Sequence, residues 1–318
     1  MTDNMFDVII IGGGPAGLSA ALNSARAKLK TLLIEKATYG GKITLASELA
    51  NYPGGISSET GKEFAERLSS QADSFGVVKI NAEVTEVNFL GYNRQVICGE
   101  TIYKSKIVMI ATGSPPANLG VKGEEKFRGL GISYCATCDA PFFNGSDVFV
   151  VGYDDTAIEE AVYLSKFARN VTIISKRKEL KADKEVIEKA ESIENISFMY
   201  NTKVKEFGGI DLLTRIVTEN VISNESFTIE AQDGESLGCF LSIEMKPYTN
   251  IFESMVEMED GYVITDEDMR TSMPGIFAIG DVRKKTLRQV VTATADGAIA
   301  AFQAEKVINE VDRREEIG

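Results

Sequence analysis

The architecture of this chain is set by a stretch near its beginning, Phe6-Asp7-Val8-Ile9-Ile10-Ile11-Gly12-Gly13-Gly14-Pro15-Ala16-Gly17. Its first half predicts a buried parallel strand, and its glycines predict a tight turn into an Ala-rich helix over residues 18–28. A second apolar strand over residues 31–34 ends in Glu35. This order of strand, glycine loop, helix, strand and acid indicates a unit that binds a dinucleotide.

Each glycine of the loop has a separate physical role in such a unit. Gly12 makes the tight turn, Gly14 lets the backbone approach the pyrophosphate, and Gly17 lets helix and strand pack closely. Amides at the helix N-terminus hold the phosphates, and Glu35 can bind ribose hydroxyls. A tight turn without a ligand is the simpler interpretation of such a loop. Here, however, the loop lies in its full strand–helix–strand context.

A second motif, Cys135-Ala136-Thr137-Cys138-Asp139, predicts redox chemistry. Two thiols at this spacing can form a small disulfide, and the spacing lowers the pKa of one thiol. A zinc site is the rival interpretation, but zinc needs four ligands, and the chain has no histidine and only two other, isolated cysteines, Cys98 and Cys239. An inert buried pair is a third interpretation. Asp139 is placed to supply the proton for thiol exchange, unless it is only an exposed loop residue.

The strand–turn–helix–strand pattern recurs over residues 148–174, which predicts a second domain of the same architecture. Its loop, Gly152-Tyr153-Asp154-Asp155-Thr156-Ala157, is altered as a phosphate site because Asp154 replaces a glycine. A carboxylate about 4 Å from a phosphate charge costs about 4 kcal/mol at an effective dielectric constant near 20. That cost corresponds to roughly two to three decades of affinity, so weak or absent nicotinamide binding is predicted.

The rest of the sequence predicts further helices and strands and contains one basic cluster. A helix is predicted to place Phe64, Leu68 and Phe75 on one packed face, and residues 77–103 are predicted to form an antiparallel excursion. Residues 107–110 predict a strand of the main sheet, and residues 297–311 predict a final helix. A basic cluster at residues 175–181 could bind a 2′-phosphate, dock an acidic protein or only be a solvated face.

Composition narrows the class of protein. The sequence has 34 basic and 47 acidic residues, a net charge of −13, which argues against a broad surface for nucleic acid or anionic membrane. Its N-terminal apolar run is interrupted by glycines, so neither a signal peptide nor a membrane span is expected. With four cysteines in 318 residues the chain is not a disulfide-stapled secreted scaffold, and a cytoplasmic location is expected.

Together these motifs resemble the low-molecular-weight thioredoxin reductases, FAD flavoproteins of the two-domain pyridine nucleotide-disulfide oxidoreductase class. The resemblance runs nearly end to end, and its most specific motif is the cysteine pair placed between the two nucleotide units. It implies an α/β fold with two Rossmann-like three-layer domains, the second inserted into the first. Residues 1–116 and 246–318 would form the FAD domain. Residues 117–245 would form a redox-disulfide domain with a degenerate NAD(P)H-binding fold.

The resemblance also implies which residues bind FAD. They are Gly12, Gly14, Pro15, Ala16, Gly17, Glu35, Lys42, Asn51, Thr112, Gly113, Gly280, Asp281, Arg288, Gln289 and Val290. At Lys42 the family has glutamine, and a cation there would tune the flavin potential.

By the same resemblance the catalytic residues are Cys135, Cys138 and Asp139. Cys138 would be the thiol next to the flavin, Cys135 would attack the disulfide of thioredoxin, and Asp139 would donate and recover a proton. The family also implies a homodimer.

The departures from the family pattern all fall in the segment that binds NADPH in the family. They are Asp154, the Ser175–Lys181 segment in place of a His-Arg-Arg motif, and Glu244 in place of a glycine. This pattern resembles the ferredoxin-dependent branch and implies two one-electron deliveries from ferredoxin. The alternatives are an NADPH-dependent thioredoxin reductase with an altered loop, a reductase of small disulfides or peroxides, and a non-catalytic flavin-binding redox sensor.

Overall fold

The structure, a computed structural model, describes residues 4–317. The chain divides into two compact units, one formed by Met1–Pro115 with Lys246–Gly318 and the other by Pro116–Met245. We call them the outer and the inserted domain.

The helices and strands follow one another in α/β order. The helices are α1 (Pro15–Arg26), α2 (Gly61–Asp73), α3 (Glu124–Phe127), α4 (Ala136–Asp139), α5 (Asp155–Leu164), α6 (Lys184–Glu191) and α7 (Val290–Ile317). The strands are β1 (Met5–Ile11), β2 (Thr31–Glu35), β3 (Val78–Asn81), β4 (Glu86–Asn88), β5 (Arg94–Cys98), β6 (Thr101–Ile110), β7 (Ile132–Ser133), β8 (Asp147–Val151), β9 (Asn170–Ile174), β10 (Ile196–Met199), β11 (Thr202–Gly208), β12 (Arg215–Asn220), β13 (Ser226–Glu230), β14 (Gly238–Leu241), β15 (Met258–Glu259), β16 (Tyr262–Val263) and β17 (Ile276–Ala278).

The outer domain is built on a sheet in the order β3-β2-β1-β6-β5-β4, with β17 paired to β6. β1 runs parallel to both β2 and β6 and is fully buried over Val8–Ile10 because its two faces meet different clusters. Val8 packs in the cluster that includes residues of α1 and α7, whereas Ile9 packs in the cluster on the opposite face. Burial on both faces is the reason for the continuous apolar run in the sequence.

The inserted domain repeats this plan. Its five strands are parallel and lie in the order β10-β9-β8-β14-β7, and an antiparallel sheet of β11, β12 and β13 accompanies them. One face of the parallel sheet packs against α4, α5 and α6, and the other shares a core with β11 and β12. The predicted α/β class with Rossmann-type sheets is confirmed.

Three local predictions were wrong in part. The antiparallel excursion is confirmed where β4 pairs with β5 and β5 with the first half of β6. β3, however, is a parallel edge strand beside β2, because α2 provides the crossover that parallel neighbours require. Phe75 lies beyond the end of α2 and is 50% exposed, so it is not part of the packed face. The final helix α7 begins at Val290 rather than at residue 297. Over the described residues, no helix is both long enough and apolar enough to cross a membrane.

A buried carboxylate fixes the segment that leads to the cysteine pair. Glu124 is 2% exposed and accepts hydrogen bonds from the backbone N–H groups of Leu119 (2.9 Å) and Gly120 (2.7 Å). It also accepts one from the Tyr134 hydroxyl at 2.9 Å. Because Tyr134 directly precedes Cys135, this network anchors the approach to the redox motif.

Replacing Glu124 by alanine removes the acceptor of all these bonds. Each buried donor left without a partner costs about 1–3 kcal/mol, so we expect the free energy of unfolding to fall by roughly 3 kcal/mol or more. Urea unfolding measures the loss. The exposed neighbour Glu125, which pairs with Arg128, is the control: Glu125→Ala should cost less than about 1 kcal/mol. Equal losses in both variants would contradict this assignment.

Candidate functional site

The two cysteines of the redox motif lie in one turn at the start of α4. Cys135 is the residue before the helix, and it forms a disulfide with Cys138 across a Cα–Cα distance of 5.3 Å. The backbone N–H groups of Cys138 and Asp139 both donate to the Cys135 carbonyl at 3.2 Å. Both cysteines are only partly buried. The turn therefore holds a disulfide that a partner can reach, as the redox interpretation requires.

Asp139 is tied to this turn through a serine. The Ser133 hydroxyl donates to Asp139 Oδ2 at 2.7 Å and accepts the Cys135 N–H at 3.1 Å. Burial raises the pKa of Asp139, and the hydrogen bond from Ser133 opposes that rise. Asp139 is thus a partly buried carboxyl beside the disulfide and not an exposed loop residue. Ser133 was not singled out from the sequence, since nothing in the pattern distinguishes this serine at a strand end.

A second carboxyl, that of Glu160, is partly buried on α5, the helix that packs against α4. Burial raises the pKa of Glu160 to about 7 and nearby Asp154 adds to the rise, whereas the polar groups of Ser242 and of the Ala136 backbone oppose it. Sequence reasoning missed this residue, although helical spacing offers a signal: Glu160 follows the buried Ala157 by three positions and so shares its face.

Because of this raised pKa, ionisation of the Glu160 carboxyl makes the free energy of unfolding depend on pH. Since the folded-state pKa is raised from 4.5 to about 7, the native state increasingly disfavours ionised Glu160 as pH rises through that interval. Compared with Glu160→Gln, the unmodified protein should lose about 2–3 kcal/mol of unfolding free energy between pH 5 and pH 8. Urea titrations at both pH values measure the difference. The control is Glu188→Gln, at an exposed position of α6, for which the same comparison should give a difference near zero. A pH-independent effect of Glu160→Gln would refute the pKa shift.

The other cysteines are unsuited to thiol exchange. Cys98 lies in β5 of the outer domain, and Cys239 is fully buried in β14 of the inserted domain. Burial raises the pKa of both thiols, with Glu124 adding to the rise at Cys239. A thiolate is therefore disfavoured at each.

The first glycine loop has the close approaches that its sequence predicts. Gly12 has φ +112°, and a Cβ atom there or at Gly17 would overlap backbone carbonyl atoms of Ala111 or Gly12 respectively. A Cβ atom on Gly14 would meet nothing within 4 Å, so space lies open above the loop at the start of α1. Glu35 accepts hydrogen bonds from the N–H groups of Gly13 (2.6 Å) and Ala37 (2.8 Å).

Other residues predicted to bind the cofactor are joined in pairs within the outer domain. Asn51 donates to Gln289 at 2.8 Å, and the Lys42 ammonium lies 3.5 Å from Asp281. Gly280 lies against Ala16 of α1, and Val290 begins α7, which packs on α1. The Thr112 hydroxyl donates to the Tyr248 carbonyl at 2.7 Å, and the Tyr248 N–H donates to the carbonyl of Gly113 at 3.1 Å. The Arg288 guanidinium lies 4.2 Å from the centre of the Tyr262 ring. Pro15 occupies the first turn of α1.

The second nucleotide-type loop is closed by its own side chains. Asp154 caps α5, because its Oδ1 accepts the Ala157 N–H at 3.1 Å. The Lys181 N–H donates to the Tyr153 carbonyl at 2.7 Å, and the Arg177 guanidinium lies 4.3 Å from the centre of the Tyr153 ring. A helix terminus that binds its own carboxylate is a poor site for a phosphate, which bears negative charge.

Comparison with known proteins places the chain in a family. The family model for pyridine nucleotide-disulphide oxidoreductases matches residues 6–297. A thioredoxin reductase of Peptoclostridium acidaminophilum is 46% identical over 310 residues, which cover 96% of this chain and 98% of that protein. The crystal structure of thioredoxin reductase from Streptococcus pyogenes superposes with a TM-score of 0.92 at 38% identity, covering 97% of this chain and 100% of that one. The chain belongs to the low-molecular-weight thioredoxin reductases.

FAD is the cofactor of this family, and the outer domain fits it. The open space at Gly14 gives the start of α1 room for a phosphate group. Asp281 Oδ1 and Arg288 Nε are buried and have no hydrogen-bond partner among the described residues, although Lys285 lies 4.0 Å from Asp281 Oδ1, so each can serve a polar group of a ligand. A Bacillus subtilis thioredoxin reductase, 38% identical over 314 residues, extends the same likeness over 97% of this chain.

Proposed function

We propose that this flavoprotein is a thioredoxin-disulfide reductase whose redox centre is the Cys135–Cys138 disulfide. The observation that supports this most is the partly exposed disulfide turn, to which Ser133 ties Asp139. The names of the relatives support thioredoxin as the acceptor. A non-catalytic flavin-binding sensor does not require a proton donor beside its disulfide. The position of Asp139 therefore favours an enzyme.

FAD would be held by the glycine loop and by the residues around α1 and α7. Backbone amides at the start of α1 would bind its phosphates, and Glu35 its ribose hydroxyls. The proposed set is Gly12, Gly14, Pro15, Ala16, Gly17, Glu35, Lys42, Asn51, Thr112, Gly113, Gly280, Asp281, Arg288, Gln289 and Val290. Within this set, Lys42 is proposed to place a positive charge near the flavin, and Asp281 orients its ammonium group.

The cysteines and Asp139 divide the chemistry among them. When bound, FAD would supply the electron pair that opens the disulfide. Cys138 takes the position next to the cofactor, and Cys135, as a thiolate, attacks one sulfur of the thioredoxin disulfide to form a mixed disulfide. Cys138 then attacks Cys135 and releases reduced thioredoxin. Asp139 gives a proton to the departing thiolate and regains one from the thiol that becomes the next nucleophile.

Single replacements test these roles. Cys135→Ser and Cys138→Ser should each abolish thioredoxin reduction while the protein still binds FAD, because the cysteines are in the inserted domain and the proposed FAD residues are in the outer one. Asp139→Asn should lower turnover by about 10²-fold or more, since it cannot exchange a proton. Steady-state assays and the flavin spectrum measure both properties, and Cys98→Ser is the control. Full turnover in either cysteine variant would refute the mechanism.

Two candidate electron donors remain, each with its own support. The comparisons favour NADPH, because the relatives are named simply as thioredoxin reductases and the matching family is that of pyridine nucleotide-disulphide oxidoreductases. The second candidate is ferredoxin, the donor expected from the sequence, and no relative named above supports it. It is favoured only by the closed loop, in which Asp154 caps α5 and Lys181 binds Tyr153.

The loop can be tested directly. If Asp154 repels a phosphate, Asp154→Gly should lower the Kd or KM for NADPH by about 10²- to 10³-fold, as expected from the repulsion at an effective dielectric constant near 20. Anaerobic mixing with NADPH, or with photoreduced ferredoxin, shows which donor bleaches the flavin of the unmodified enzyme. Asp233→Asn, at an exposed turn of the same domain, controls for net charge. Fast bleaching by micromolar NADPH that Asp154→Gly does not improve would rule out the closed loop as a barrier.

We further propose a homodimer located in the cytoplasm. Exposed apolar side chains along α7, including Val291, Ile299 and Phe302, support a protein interface on the outer domain. The low cysteine content supports a reducing compartment.

A further inference from the structure

The carboxylate of Asp281 has one buried oxygen that can serve a ligand, and the ammonium group of Lys285 lies close to it. We infer that Asp296 is a positioning residue for FAD. It holds the Lys285 ammonium away from Asp281 Oδ1, so that this oxygen stays available to the cofactor. The inference rests on the proposed role of Asp281 in binding FAD.

Helix α7 places Asp296 beside the turn that contains Asp281. Gly297 lets α7 approach the first turn of α1, because a Cβ atom on Gly297 would overlap the carbonyl oxygen of Ala16. At this close approach the Asp296 carboxylate is 6% exposed and accepts the Gly280 N–H at 3.0 Å. Asp296 is therefore fixed against the backbone of the residue that precedes Asp281.

Two cations bind the same carboxylate. Arg283 Nη1 donates to Asp296 Oδ1 at 3.0 Å, and Lys285 Nζ donates to Asp296 Oδ2 at 3.0 Å. The Lys285 ammonium also donates to the Thr292 hydroxyl at 3.3 Å. Because the Lys285 side chain is only 10% exposed, these bonds with the protein largely determine where its ammonium lies.

The distance between Lys285 and Asp281 shows what this arrangement prevents. Lys285 Nζ lies 4.0 Å from Asp281 Oδ1, which is beyond hydrogen-bond distance, and Oδ1 has no hydrogen-bond partner among the described residues. A shift of the ammonium by about 1 Å would bring it within hydrogen-bond distance of Oδ1. Since charge-assisted hydrogen bonds are strong, the ammonium would then compete with a ligand for that oxygen. Asp296 opposes the shift because it binds the ammonium at the shorter distance.

The other oxygen of Asp281 faces a different cation. Lys42 Nζ lies 3.5 Å from Asp281 Oδ2, and the Lys42 side chain is 49% exposed. Solvent therefore weakens this pair, whereas the pair of Lys285 and Asp296 is largely shielded. The carboxylate thus faces Lys42 through Oδ2 and offers Oδ1, a hydrogen-bond acceptor, to a hydroxyl group of FAD.

Release of FAD from the loaded enzyme measures this role. The FAD-loaded enzyme is diluted in series, and the fluorescence of released FAD gives the Kd. Asp296→Asn keeps the shape of the side chain but removes its charge, so the Lys285 ammonium should move to Asp281 Oδ1. The Kd should rise about tenfold, the contribution of one hydrogen bond to a charged group.

A second substitution should rescue the first. Adding Lys285→Met to Asp296→Asn removes the competing ammonium and should return the Kd to within about threefold of the unmodified enzyme. If Asp296 only stabilises the fold, the double variant should bind FAD no better than Asp296→Asn, and that result would overturn the inference. Lys284→Met is the matched control, because Lys284 is exposed and pairs with exposed acids, and it should leave the Kd unchanged.

A further measurement does not depend on the folding of Asp296→Asn. Lys285→Met alone leaves the bonds of Asp296 with Gly280 and Arg283 in place and should also keep the Kd within about threefold. A rise of about tenfold or more would show that FAD needs the ammonium itself, which contradicts the inference. A Kd that Asp281→Asn leaves unchanged would instead contradict the proposed cofactor site.

Discussion

A hydrogen bond from the Ser133 hydroxyl to Asp139 joins the end of β7 to the helix that carries the disulfide. Because the same oxygen accepts the Cys135 N–H, the serine fixes the carboxyl and the cysteine backbone relative to each other. A proton donor serves thiol exchange only if it stays near the sulfur through both steps, since the proton must be given and then recovered. The strand end of a parallel sheet supplies that rigidity, and the partly exposed turn supplies access.

Two partly buried carboxyls, Asp139 and Glu160, lie on the helices that carry and support the disulfide turn. Burial raises the pKa values of both Asp139 and Glu160, and the chain has no histidine that could carry a proton in their place. In a protein interior the cost of a second charge beside a first is far larger than in water. Reduction of the disulfide must create such a charge. In the proposed mechanism Asp139 gives a proton to a departing thiolate, and this removes the charge.

Features that depend on a short segment of sequence could be predicted, whereas features that depend on contacts between separate elements could not. The loop from Gly12 to Gly17 was predictable because only glycine tolerates those close approaches, and the cysteine pair because its spacing limits its chemistry. The sequence also showed that Asp154 replaces a glycine of the phosphate-binding loop, but not that its carboxylate caps α5. Phe75 was wrongly assigned to the packed face because the hydrophobic periodicity does not show where α2 ends. The partners of Ser133 are close in sequence, but nothing in the pattern marks a serine at a strand end as the one that binds Cys135 and Asp139. The surroundings of Glu160 form only when α5 packs on α4, so a local pattern could not predict them.

In the proposed enzyme, electrons pass between thioredoxin and one sulfur pair, Cys135 and Cys138. The decisive experiment incubates the oxidised FAD-loaded enzyme with excess reduced thioredoxin, quenches with acid and alkylates the free thiols. We expect mass spectrometry to find new alkylation at Cys135 and Cys138, with alkylation of Cys98 and Cys239 unchanged. A Cys135–Cys138 disulfide that stays closed while thioredoxin is oxidised would contradict it.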